Sequence, residues 1–257
     1  MASPRASSAV SRRISQDRAS LKAALDGDWR GGHGCLSMPA SFPTALGQYP
    51  TRNERVADLW VHIVGLGLAS IGGAGLAALA YVHTDLGRAI SVCTYVLCLL
   101  TMLAASAASN LASSVHQHRR LQNLDAAAIF LMIAGSYTPF TTQILHGQLA
   151  LGMTIAIWCL ALAAAAAKLL IRNLSRRFSM VAYIGLGWLV IVAAGPLIAG
   201  LRPLSLFLLV AGGVVYTLGT VSYAAPRLRY RRAIWHGFVL AAAMLHFGAI
   251  LTGVVLA

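Results

Sequence analysis

Seven apolar runs, near residues 57–82, 88–110, 123–145, 149–171, 179–200, 203–223 and 234–257, govern what this chain can fold into. Each approaches or exceeds the roughly 20 residues that an α-helix needs to cross the hydrocarbon core of a bilayer. In lipid, every backbone N–H and C=O must be satisfied within the protein, so runs of this length fold as helices. The separating loops are short and carry Arg, Pro or Gly, which stands the helices as neighbouring, alternately directed rods. The sequence therefore predicts an all-α membrane protein whose seven-transmembrane-helix bundle occupies residues 52–257 as one domain. Only 11% of the residues are charged, against roughly 25% in a soluble domain.

The net charge of +13 superficially suits a nucleic-acid partner, but the 20 Lys and Arg residues fall in short clusters between the apolar runs. That is the pattern of membrane loops, so membrane lipids are the expected partners and nucleic acid is not. Residues 1–51 are rich in Ser, Arg, Gly and Pro and hold no apolar run of spanning length. They read as a disordered, basic cytoplasmic tail, with Met38 an alternative start. Cys35, Cys93, Cys98 and Cys159 form no CxxC pair and read as small apolar residues rather than a disulfide or metal set.

Loop charge sets the orientation. The tail and the loops after the second, fourth and sixth spans hold 18 Lys and Arg residues, while the opposite side holds two, Arg88 and Arg202. Positive loops stay inside, so the N-terminus is expected in the cytoplasm and the C-terminus in the periplasm of a bacterial inner membrane. Small residues crowd the runs, as in GLGLASIGGAGLAALA at 65–80, and allow helix backbones to approach closely. Pro139 and Pro196 predict kinks in the third and fifth spans.

Ionisable side chains inside a span are costly, so each is a candidate for function. Asp58 and His62 lie four residues apart on one face at the start of the first span. Ser106 and Asn110 close the second, Asp125 opens the third, and His236 opens the seventh, with His246 about 15 Å deeper. With the orientation above, all but His246 belong to the cytoplasmic leaflet, which predicts a shared polar cluster. Simpler roles compete: Asp58 as a helix cap, Ser106 as a backbone-bonded hydroxyl, and His62, Asn110 and His236 as interfacial groups. His33, His83, His116, His118 and His146, in the tail or loops, are expected to be solvated.

ERVADLWVHIVG at 54–65, LDAAAIFLMIAGSYTPF at 124–140, GGVVYTLGTVSY at 212–223 and IWHGFVLAAAMLHF at 234–247 resemble the hemolysin III proteins, relatives of the adiponectin and progestin receptors. The resemblance implies a seven-helix bundle with the N-terminus inside. It also implies a zinc ion near the cytoplasmic leaflet, held by the histidine of an SxxxH pattern ending the second helix and two more of an HxxxH pattern opening the seventh. An aspartate opening the third helix orients a metal-bound water, and the implied activity is hydrolysis of a lipid amide.

This chain departs from that pattern. SAASN at 106–110 puts Asn110 in place of one histidine, and RAIWH at 232–236 puts Arg232 in place of another, leaving His236 and Asp125. Asparagine is a weak zinc ligand and arginine carries a fixed positive charge, so tight zinc binding in the usual geometry is not expected. A site rebuilt from His236 and Asp125 needs His62 or His246; without metal, Asp125 would pair with Arg232. Two functions compete: a lipid-sensing or membrane-homeostasis protein with a cytoplasm-facing polar pocket, and a membrane hydrolase of a lipid amide or ester using Asp125, His236 and His62. A transporter lacks its usual sign, paired interrupted helices in two matching halves.

Overall fold

The computed structural model describes residues 49–257 apart from 113, 172, 173 and 226. The expected tail lies outside the described residues up to its last three. Eight α-helices follow in order: α1 (Arg52–His83), α2 (Leu86–Leu111), α3 (Val115–Gln143), α4 (Gly147–Leu170), α5 (Arg176–Trp188), α6 (Ala194–Gly200), α7 (Pro203–Ala224) and α8 (Arg231–Ile250). A 3₁₀ segment, Leu189–Ala193, joins α5 to α6, so these make one span, and a π turn, Leu251–Val255, ends the last. Seven helical segments are long and apolar enough to cross a membrane.

Side-chain caps mark where the helices begin. Thr51, Asp85, Ser114 and Ser175 accept the backbone N–H three residues on, satisfying donors with no intrahelical partner. Thr51, not Asp58, therefore caps the first helix. The third helix starts eight residues before its apolar run, because Ser114 caps a polar first turn that hydrophobicity alone does not mark.

The inward face of α1 runs through Glu54, Asp58, His62, Gly65, Ala69, Gly73, Leu76 and Ala80, while Trp60, Ile63 and Leu68 are exposed. Polar residues at the start of the buried stripe and large apolar ones outside suit a helix facing lipid on one side and a polar interior on the other. Small residues set the spacing. A Cβ built on Gly135 would stand 2.6 Å from the Cβ of Cys98, and one on Gly219 2.7 Å from that of Phe238. These contacts hold α3 against α2 and α7 against α8 closer than any side chain would permit.

In the fifth span Pro196 lacks an N–H, and its ring crowds the carbonyl four residues earlier, where the 3₁₀ segment lies. Tyr137 of α3 repairs the break: its hydroxyl donates to the Leu186 and Gly187 carbonyls and accepts the N–H of Val190 at 2.7 Å. The first and last spans also lie side by side, α1 packing against both α2 and α8. That neighbourhood brings the starts of α1 and α8 to the end of α2, where the polar residues are.

Candidate functional site

Asp58 is wholly buried. A carboxylate at membrane depth costs several kcal/mol unless paired, and here both oxygens are occupied. Oδ1 accepts the Nδ1–H of His236 at 2.5 Å. Oδ2 accepts the Asn110 side-chain amide at 2.9 Å and the Tyr49 hydroxyl. Asn110 also donates to the Tyr49 oxygen at 3.0 Å, and Arg55 donates to the Asn110 backbone carbonyl at 3.2 Å. The Arg232 guanidinium lies over the Tyr49 ring, 5.2 Å from its centroid. Burial, and the Asp58 carboxylate beside it, push the Tyr49 phenol well above its ordinary range, so it stays a donor.

His62 is fixed by the same residue through its backbone, since its Nδ1 lies 2.6 Å from the Asp58 carbonyl oxygen. A carbonyl oxygen only accepts, so this Nδ1 carries a proton, and the carboxylate at His236 asks the same of that ring's Nδ1. The two Nε2 atoms then converge on one group, the Ser106 hydroxyl, at 3.0 Å from His62 and 3.2 Å from His236. Asp125 borders the same small cavity as that hydroxyl. A cavity of about 20 Å³ is bordered by His62, Ser106, Asp125 and His236 among apolar side chains of α1 to α3 and α8. That is room for a single water-sized occupant.

The structure thus gathers Asp58, His62, Ser106, Asn110, Asp125, Arg232 and His236 at one end of the bundle, and His246 does not join them. The His246 Nε2 lies 3.3 Å from the Leu209 carbonyl, its ring stands edge-on to Tyr216, and it lines apolar cavities deeper in the bundle. No ion pair joins Asp125 to Arg232 among the described residues; both instead line a polar cavity of about 260 Å³ with Lys168 and His236. His118 is not solvated: it is buried, with Nδ1 bonded to the Ser109 carbonyl at the end of α2. Tyr49 was legible only as a residue before the first span. No spacing rule marks it, because its partners come from α1, α2 and α8.

The zinc set that the family resemblance implies does not fit these residues. Asn110, at one histidine position, spends its amide donors on Asp58 and Tyr49, and Arg232, at another, is seated on the Tyr49 ring. Asp58, His62 and His236 do bring potential ligand atoms within 4.8 Å of one another. The Asp58 oxygens, however, already accept three donors.

The haemolysin-III related family profile matches residues 50–247. A hemolysin-3 homolog of Bacillus subtilis is 32% identical over 204 residues, covering 78% of this chain and 94% of that protein. Hemolysin-3 of Bacillus cereus is 32% identical over 202 residues, covering 77% and 90%. The human monocyte to macrophage differentiation factor is 27% identical over 215 residues, covering 80% and 87%. No solved structure matches the chain.

Proposed function

The chain belongs to the haemolysin-III related family, and on that premise we propose that it is a lipid-binding protein of the plasma membrane that holds one amphipathic lipid inside its bundle. The observation that carries this reading is a row of adjoining cavities that share walls. The polar cavity at Asp125, Lys168 and Arg232 shares Ile129, Tyr183, Thr220 and Trp235 with a second, largely apolar cavity. That one shares Ser136, Tyr137, Gly187, Trp188, Gly213 and His246 with a third, of about 220 Å³. A polar compartment leading into two apolar ones matches a head group followed by a chain. With two cations against one carboxylate, the polar end suits an anionic head group. The 18-to-2 distribution of Lys and Arg supports a cytoplasmic opening for this pocket, in keeping with a sensing or homeostatic role at the inner leaflet.

A second reading, a hydrolase of a lipid amide or ester, is favoured by one observation. Asp125 and His236 line both the polar cavity and the small cavity at Ser106. A scissile bond just beyond the head group would lie beside groups able to accept a proton.

Solvent extraction of the purified protein followed by mass spectrometry tests the first reading. Gly213 lines both apolar cavities, and a Cβ there meets nothing within 4 Å, so Gly213→Phe should obstruct the passage without breaking a contact. The wild type should release about one equivalent of lipid and the variant several-fold less; equal amounts would refute the reading. Recovery of cleaved chains in place of intact lipid would move the hydrolase to first place.

A further inference from the structure

Where the two apolar cavities adjoin, hydrogen-bond acceptors outnumber donors. His246 stands there and lines both. The Leu209 carbonyl, 3.3 Å from Nε2, only accepts, so Nε2 carries a proton. No carboxylate lines either cavity to balance an imidazolium, so the ring is neutral and Nδ1 holds a lone pair. That nitrogen is buried and has no hydrogen-bond partner among the described residues. Ser136 lines the same two cavities. Its hydroxyl gives its hydrogen to the Ile133 carbonyl, and no described residue donates to its oxygen. The other polar groups nearby are matched, the Tyr137 hydroxyl at the break in the fifth span and the Trp188 N–H on Thr217. A buried acceptor without a donor destabilises a fold, which sets His246 apart from its neighbours.

The geometry points to an occupant that carries a hydroxyl part-way along an apolar chain, the hydroxyl donating to His246 Nδ1 beside Ser136. This rests on the reading of the bundle as a lipid site and adds which lipid it takes: one with a hydroxylated acyl chain. The place of the hydroxyl follows from the helix. His246 lies ten residues beyond His236, about 15 Å along the axis, and His236 lines the polar cavity. A head group in that cavity puts the hydroxyl near the middle of a long chain rather than beside the head group.

The imidazole has a seat made for it. A Cβ on Gly212 of α7 would overlap the ring, so this glycine lets the imidazole lie against the α7 backbone, and Tyr216 meets it edge-on. At 3.3 Å the Leu209 contact is long, which leaves the ring room to turn its free nitrogen towards a chain. Cavities of about 90 Å³ and about 220 Å³ then take the apolar parts on either side. A water would serve the same two acceptors less well, because the remaining walls are largely apolar and give it few further partners.

A matched pair of fatty acids tests this: ricinoleate, whose chain bears one mid-chain hydroxyl, and oleate, the same chain without it. Titration calorimetry of the full chain, purified in detergent and stripped of bound lipid, should show ricinoleate binding about tenfold tighter, the effect of one hydrogen bond to an otherwise unpaired acceptor. α-Hydroxyoleate, with its hydroxyl beside the carboxylate, should bind as oleate does. His246→Leu should abolish the preference for ricinoleate while oleate binds as in the wild type, which also shows that the variant is folded. Equal binding of the two fatty acids by the wild type would overturn the proposal, without reference to any variant, and leave the lipid reading standing. So would a preference that survives His246→Leu, or an equal gain from α-hydroxyoleate. Binding of neither fatty acid would overturn the lipid reading and this inference together.

Discussion

The His62 and His236 rings meet edge to face, their centroids 4.5 Å apart and their planes at 68°, joining the first span to the last. An edge-to-face ring contact contributes only about 0.5–1.5 kcal/mol. What sets the pair is Asp58, which grips one ring by its carboxylate and the other by its backbone carbonyl. The first and last spans are thus registered by one residue buried between them.

Removing that side chain should cost more than any other single change at the site. Asp58→Ala strands the donors of Tyr49, Asn110 and His236, and each buried donor left unpaired costs about 1–3 kcal/mol. For a chain of this length the melting temperature in detergent should fall on the order of 10 °C. Asp58→Asn keeps an acceptor and should lose less. A variant as stable as the wild type would mean that the network contributes nothing to the fold.

Tyr49 makes stability sensitive to alkali. Its phenol titrates higher in the folded protein than in the unfolded chain, because burial disfavours the phenolate. The neutral hydroxyl therefore stabilises the fold fully below the ordinary phenol value near 10, and that contribution is lost as the pH rises above it. The wild type should lose melting temperature above about pH 10 more steeply than Tyr49→Phe, which has no phenol to ionise. Parallel curves for the two proteins would remove Tyr49 from the network.

The topology is open to a direct check. Reporter fusions after Ala257 should behave as periplasmic and fusions in the 172–177 loop as cytoplasmic, following the charge asymmetry of the loops. The reverse pattern would turn the polar cavity towards the outer leaflet and withdraw its assignment to the inner one.

Run length alone marks the seven spans, because hydrophobicity over 20 residues is a local property that any neighbouring fold must respect. The four-residue spacing of Asp58 and His62 likewise places them on one face. The partners of Asp58 are not local. A carboxylate near a helix start reads as a cap until the true cap, Thr51, shows that Asp58 lies about two turns inside and faces inward. Tyr49 precedes the first span and reaches residues of three helices, and His118 is buried only because α3 begins at Val115. The same holds at Ser106: SAASN and RAIWH show which histidines are missing, whereas the convergence of His62 on Ser106 depends on how α1 packs against α2.

Restoring the missing histidines should rebuild the zinc set that the family resemblance implies. Asn110→His combined with Arg232→His gives three imidazoles, with His236, at the positions that the resemblance assigns to zinc. The same two changes dismantle the clamp on Asp58 and Tyr49, so the metal-free double variant should melt below the wild type. Zinc should then raise its melting temperature, since a ligand at 100 times its Kd stabilises a fold by about 2.7 kcal/mol. Neither single change should do as well, because Asn110→His alone leaves the fixed charge of Arg232 beside the ion and Arg232→His alone supplies only two imidazoles. Elemental analysis of the wild type, the two single variants and the double variant reads the result. A double variant that takes up no zinc would show that imidazoles at positions 110 and 232 do not reach an ion beside His236.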